Sequence, residues 1–319
     1  MATNRRQFVQ WLFACPALPT FSPLVCASVA DGQMLASAYR SRKDELYGLA
    51  IFDSAGKVLS RTPLPERGHA SVFHPDNKQL VVFARRPGRH MHIFNTIGDF
   101  PTIEIDSIPG RHFYGHGCFD KSGTLLYATE NAYNEARGVI GIYDVRKGYQ
   151  RVGEFSTYGT GPHDVALHTD GQTLVVANGG IETHPATGSE KLNLLDMRSS
   201  LVFIDTRTGT LVERFQLPDE YRQLSLRHLS IGTNGDCHFG GQYQGAPEDL
   251  PPLAGSLTAN GKIDLWSASV TIIASLKNYI SSVCAVPNST LVAVSSSRGG
   301  VTLIWDSRQG KVLQVIAAL

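Results

Sequence analysis

The residues in this chain whose types and spacing could carry chemistry are histidines that return at equal intervals. His69, His116 and His163 are separated by 47 residues at each step, and each stands one or two residues after a glycine, in Gly68-His69, Gly115-His116 and Gly161-Pro162-His163. Each opens an apolar stretch that runs into a turn, at Pro75-Asp76-Asn77, Asp120-Lys121-Ser122-Gly123 and Thr169-Asp170-Gly171, and then into a second apolar stretch. A fourth copy starts at Arg227-His228 and turns at Asn234-Gly235, while Ser281-Ser282 stands at the next equivalent place. Imidazoles gathered at one point suit zinc, copper, iron or nickel, and a neighbouring carboxylate or amide completes or orients such a ligand set. His69, His116, His163 and His228 are therefore the expected metal ligands, with copper, iron or zinc as the expected cofactor. The competing reading makes each histidine a hydrogen-bonded tie between adjacent repeats.

A recurrence of roughly 40 to 50 residues belongs to propellers, in which each repeat is a four-stranded blade. The first strand of a blade lines the central channel, so the four histidines should converge at one mouth of it. Arg85, Glu130, Asn178 and Gln242, just past the second strands, should emerge on the same face. Glu130, Asn178 and His184 are the expected cofactor-binding residues. Glu130 offers a carboxylate, and Asn178 and His184 open the longest insertion, which runs to about Ser200; long loops in compact domains are often functional. Third strands end in aspartate followed by a glycine turn, as in Asp53 with Gly56, Asp144 with Gly148, Asp205 with Gly209 and Asp306 with Gly310. That pairing predicts turns capped by the aspartate side chain. Stretches such as Leu174-Val175-Val176-Ala177 are apolar on both faces, which predicts sheets stacked face to face.

Composition agrees with an all-β chain: 31 glycines in 319 residues, 42% hydrophobic and 18% charged. Lys and Arg total 29 against 28 Asp and Glu, a balance that gives no electrostatic case for a nucleic-acid partner. Residues 1–30 carry Asn4-Arg5-Arg6-Gln7-Phe8, a modest apolar stretch and then Cys26-Ala27-Ser28-Val29-Ala30. This is the pattern of a twin-arginine export signal, so the expected location is the periplasm, with residues 31–319 as one propeller domain. No run approaches the roughly 20 apolar residues of a transmembrane anchor. Cys118, Cys237 and Cys284 are too few and scattered for a disulfide framework and read as buried thiols. A Gly-x-Ser-x-Gly elbow, a Walker loop and a Cys-x-x-Cys-His haem motif are all absent.

The stretches Arg111-His112-Phe113-Tyr114-Gly115-His116-Gly117, Gly161-Pro162-His163, Asn178-Gly179-Gly180-Ile181-Glu182-Thr183-His184-Pro185, Lys191-Leu192-Asn193-Leu194 and Ser225-Leu226-Arg227-His228-Leu229 narrow the class further. They resemble those of bacterial, Tat-exported propellers of domain-of-unknown-function family fifteen-thirteen, within the WD-repeat and YVTN-like class. The resemblance implies a seven-bladed ring, of which about six four-stranded units are visible here, so that a closing blade would be missing. It also implies an envelope role in iron or other metal acquisition, with an envelope protein of metal acquisition or a di-haem redox protein as partner. The expected function is an exported propeller whose histidine-lined face binds a transition metal or such a partner. An interaction scaffold without metal and a lactonase-like or metal-assisted hydrolase are the other two classes.

Overall fold

The computed structural model describes residues 28–29, 32–41, 44–85, 88–96, 102–188, 190–258 and 260–317. Twenty-four strands form six sheets of four, taken up in chain order. The first blade contains β1 (Ser28–Val29), β2 (Gly32–Arg40), β3 (Tyr47–Asp53) and β4 (Val58–Leu64). The second contains β5 (Gly68–Phe73), β6 (Gln79–Ala84), β7 (His90–Asn95) and β8 (Ile103–Asp106). The third contains β9 (Arg111–Phe119), β10 (Leu125–Ala132), β11 (Arg137–Asp144) and β12 (Gln150–Ser156). The fourth contains β13 (Pro162–Leu167), β14 (Thr173–Asn178), β15 (Ser200–Asp205) and β16 (Leu211–Gln216). The fifth contains β17 (Leu224–Ile231), β18 (Cys237–Tyr243), β19 (Ala254–Leu257) and β20 (Ile263–Leu265). The sixth contains β21 (Ser282–Ala285), β22 (Leu291–Ser296), β23 (Val301–Asp306) and β24 (Lys311–Ala317).

The fold is thus an all-β propeller of six blades, which corrects the seven-bladed ring that the resemblance implied. The residues themselves carry six sets of four strands, each set consumed by one sheet, and no strand among the described residues is left over to build a seventh. Most of the expected export segment, residues 1–30, lies outside the described residues. Its Ser28 and Val29 pair antiparallel with β2.

Period-two alternation explains the strands that are apolar on both faces. Leu174 and Val176 of β14 join the cluster shared with Tyr127, Ile140 and Ile142 of the third blade. Val175 and Ala177, one residue out of phase, join the cluster shared with Leu226 and Phe239 of the fifth blade. Each inner blade is therefore sandwiched by two neighbours, and burial of both faces drives the stacking. The aspartates at the ends of third strands cap their turns: Asp53 accepts from the Lys57 amide at 2.9 Å and Asp205 from the Arg207 amide at 2.8 Å. His74 and His168, outside the main register, tie the second blade to the third and the fourth to the fifth. Their Nε2 atoms lie 2.9 Å from the Gly123 carbonyl and 3.2 Å from that of Gly235.

Glu130 is fully enclosed within the third blade. Its carboxylate accepts from Tyr143 Oη at 2.6 Å and from the Arg151 guanidinium at 2.9 Å, and Arg151 continues to Glu154 at 2.7 Å. Removing one member strands a charge without water, which costs more than removing both. Arg151→Met is therefore expected to lower unfolding free energy by about 3–5 kcal/mol. In urea denaturation the Glu130→Met/Arg151→Met pair should recover a good part of that loss; a double variant no more stable than the single one contradicts the assignment.

Candidate functional site

The four repeat histidines do converge. Ring centroids lie 4.9 Å apart for His69 and His116, for His116 and His163, and for His163 and His228. His69 to His163 and His116 to His228 are 5.5 Å each, so the rings form a zigzag contributed by four consecutive blades.

Local backbone irregularity brings them there. In β5, β9, β13 and β17 the pairing with the second strand slips at or beside the histidine, between Gly68 and Ser71, opposite Thr129, between Pro162 and Asp164, and between Leu226 and His228. Such bulges re-aim side chains at the cost of local pairing. The sixth blade, with serine at this place, pairs β21 with β22 without a slip. The recurrent glycine has a steric reason at Gly115, whose φ is +104°. A Cβ there would lie 2.4 Å from Cδ2 of His69.

Hydrogen bonds set the tautomers. Asp164 Oδ1 lies 3.2 Å from Nδ1 of His116, and its other oxygen accepts from the Leu229 amide at 3.0 Å. A carboxylate only accepts, so His116 Nδ1 carries a proton, and in the neutral ring the lone pair is then on Nε2. Arg227 Nη1 lies 3.1 Å from Nδ1 of His163. A guanidinium only donates, so the neutral ring of His163 carries its proton on Nε2. Both Nε2 atoms are buried and have no hydrogen-bond partner among the described residues.

Burial dominates the electrostatics of three of the four rings. Burial, followed by the charges of His116, His228 and Arg85, lowers the pKa of His69 to about 2. Burial, then His116, lowers that of His228 to about 3. Burial and then Arg227 hold His163 well below the ordinary imidazole range. Burial alone would raise the Asp164 pKa, but His116 and the bonds it receives outweigh this and hold it below the usual carboxylate value. Two groups of side chains bring their ligand atoms within 4.8 Å of one another: His69, His116 and His163, and His116, Asp164 and His228. A tetrahedral ion with bonds of about 2.0 Å needs ligand atoms roughly 3.3 Å apart, so either group would have to draw in by ring rotation to hold one.

Of the residues expected beside them, Arg85 and Gln242 line a cavity of about 1130 Å³ together with His69, His163 and His228. Glu130 is engaged by Tyr143 and Arg151 within its own blade. Asn178 donates to the Thr157 carbonyl at 2.9 Å and to Ser200 Oγ at 3.3 Å, tying the end of β14 to β15 and to the segment that follows the third blade. His184 accepts from the Ala186 amide at 3.1 Å and meets the Tyr133 ring edge-on. The structure does not bring these three together with the four histidines. The insertion that Asn178 and His184 open does reach the cavity, through Lys191, which donates to Gln244 at 2.6 Å. Asp164 and Arg227 were not singled out in the sequence, although each is a chain neighbour of a repeat histidine. The thiols also differ from expectation: Cys237 is buried and Cys118 half-buried, but Cys284 is exposed because its place on β21 faces outward.

The family model for "Protein of unknown function (DUF1513)" matches residues 62–319. The chain belongs to that family. No curated protein matches it. Among solved structures it is similar to Kuenenia stuttgartiensis hydrazine synthase, at 15% identity over 88% of this chain and 86% of that one, with a TM-score of 0.64. It is also similar to the β-propeller domain of Myceliophteria thermophila Cps50 (Swd1), at 12% identity over 85% of this chain and 82% of that one, with a TM-score of 0.56. At such identities the likeness is one of fold, and this DUF1513 member shares a propeller with proteins of different work.

Two outcomes follow. The unfolded chain takes up protons on His69, His163 and His228 below about pH 6.5 while the folded chain does not, so stability must fall as pH drops. Urea unfolding of metal-free protein should lose up to about 1.4 kcal/mol per pH unit for each of His69, His163 and His228 between pH 6.5 and 4. A profile flat across that window contradicts neutral burial. Gly115→Ala should cost more than Gly148→Ala, a left-handed glycine with nothing near its Cβ, where only the backbone penalty of about 1–2 kcal/mol applies. Equal losses in thermal melts would mean that His69 is not packed against this backbone.

Proposed function

We propose that this chain is an exported propeller of the bacterial envelope whose histidine cluster binds a transition metal, copper, iron or zinc, in metal acquisition. The observation that carries the reading is the pair of buried, unpartnered Nε2 atoms of His116 and His163 beside His69. Buried polar atoms are ordinarily satisfied, and a donor set made of neutral imidazoles is the form that such metals take.

The residues divide the work. Asp164 orients His116 and raises the basicity of its free nitrogen, as carboxylates behind metal-bound histidines do. His69 supplies a second neutral imidazole. His163 can offer Nε2 only in the other tautomer, which requires Arg227 to give up Nδ1. Arg227 thus opposes ligation by His163 until it moves, and it sets a threshold for loading. A bound ion would add Lewis acidity or redox capacity at this place. Periplasmic location rests on the twin-arginine pattern at Arg5-Arg6, and the proposed partner is an envelope protein of metal acquisition or a di-haem redox protein.

Elemental analysis of protein purified from the periplasm tests the reading, beside His116→Ala and Asp164→Asn variants. The expected result is stoichiometric metal in the natural chain, none in His116→Ala, and affinity lowered by about 10- to 100-fold in Asp164→Asn. Natural protein without metal after reloading with copper, iron and zinc, and an Ala variant that is only less stable, would make the histidines blade ties. That second reading draws on Asp164 and Arg227 each occupying one ring nitrogen from a neighbouring blade. Arg5→Lys/Arg6→Lys should leave the protein in the cytoplasm, and unchanged fractionation would remove the export proposal.

A further inference from the structure

The cavity over the histidines has a charge that the metal reading does not use. Five cationic side chains line it, Arg85, Lys191, Arg227, Lys277 and Arg298, and no Asp or Glu lies among the lining residues. The chain as a whole carries a formal net charge of only +1, so this is a local concentration and not a reflection of general basicity. Arg85, Lys277 and Arg298 form no ion pair among the described residues. Asp249, near the rim, accepts from Tyr243 Oη at 2.9 Å, and Asp164 lies behind the imidazoles against His116.

The walls are built and not merely loose surface. Asn278 donates to the carbonyls of Pro247 and Asp249 at 3.1 and 2.9 Å, and Gln242 donates to that of Ile280 at 3.2 Å. These bonds fix the segment that carries Lys277 between the fifth and sixth blades. Arg298 is seated over the Tyr279 ring at 4.2 Å, which orients its guanidinium by a cation–π contact. The positive groups come from the second, fifth and sixth blades, from the loop after β14 in the fourth and from the segment between the fifth and sixth, so they surround the space instead of flanking one side. A cavity of this size holds a small organic molecule. Cations converging from several walls, with amides between them, recognise carboxylate or phosphate oxygens by charge-assisted hydrogen bonds.

We infer that this cavity is a binding site for a small oxyanion of at least two negative charges, of the polycarboxylate or phosphate class. The site lies above the histidines and does not need a metal in them.

Isothermal titration calorimetry on the full mature chain tests this, after metal is stripped with the uncharged chelator phenanthroline and removed by desalting. The probes are citrate and pyrophosphate, with a neutral sugar as control. Saturable binding of either anion, weakened by added salt, is expected. Arg85→Gln combined with Lys277→Asn should weaken it by at least about tenfold; Asn suits the left-handed backbone of Lys277, whose φ is 50°. Lys311→Gln, on an outer strand, should leave binding unchanged, and thermal melts would show each variant folded. Citrate alone, pyrophosphate alone or both would each support the inference and identify the class. Absence of binding to both, equal binding by the folded double variant, or binding that returns only with metal would overturn it. Metal content is measured separately, so failure of the metal reading leaves this result interpretable, and the reverse also holds.

Discussion

Four imidazoles cannot crowd into a desolvated channel mouth as cations, and the site depends on that constraint. The rings approach to 4.9 Å from four blades, and burial is the leading cause that drives the pKa values of His69, His163 and His228 down. One ionised carboxylate, Asp164, sits among them and fixes the proton of His116 on the side away from the free nitrogen. The propeller supplies the burial; its sandwiched blades leave the inner strands nowhere to relax. Neutral rings at His69, His163 and His228 are then a consequence of the fold.

The bulges convert this constraint into a site. A regular strand would send His163 and Asp164 to opposite faces. The slip between Pro162 and Asp164 lets His163 meet Arg227 of the fifth blade while Asp164 reaches His116 of the third and the Leu229 amide of the fifth. One irregularity therefore links three blades and sets two tautomers. Where the sixth blade lacks the histidine it also lacks the slip, so the two features travel together within this chain.

Much of this was legible in the sequence because repeats declare themselves. Equal spacing placed His69, His116, His163 and His228 at equivalent strand starts, and the propeller geometry then required them to meet. The number of blades was legible as well in the six sets of strands, and only the family type pointed to seven. Asp164 and Arg227 were hidden for a physical reason: adjacent residues on a strand are expected on opposite faces, and a bulge leaves no mark in a period. Glu130 and Asn178 share the register of Arg85 and Gln242, but register cannot say whether a side chain is already held. Tyr143 and Arg151 hold the one, and Thr157 with Ser200 the other. Lys191, Lys277 and Arg298 come from outside the repeat pattern, so the charge of the cavity became visible only once the chain was folded.

The most direct measurement is an anomalous difference map from crystals of the mature protein loaded with copper or zinc, collected at the metal edge. The expected result is a single strong peak among the nitrogens of His69, His116 and His163, with Asp164 still against His116 and Arg227 drawn off His163. A map without a peak there, with ordered water on His116 Nε2 and Arg227 in place, would contradict metal binding and leave the cluster as a set of ties between blades.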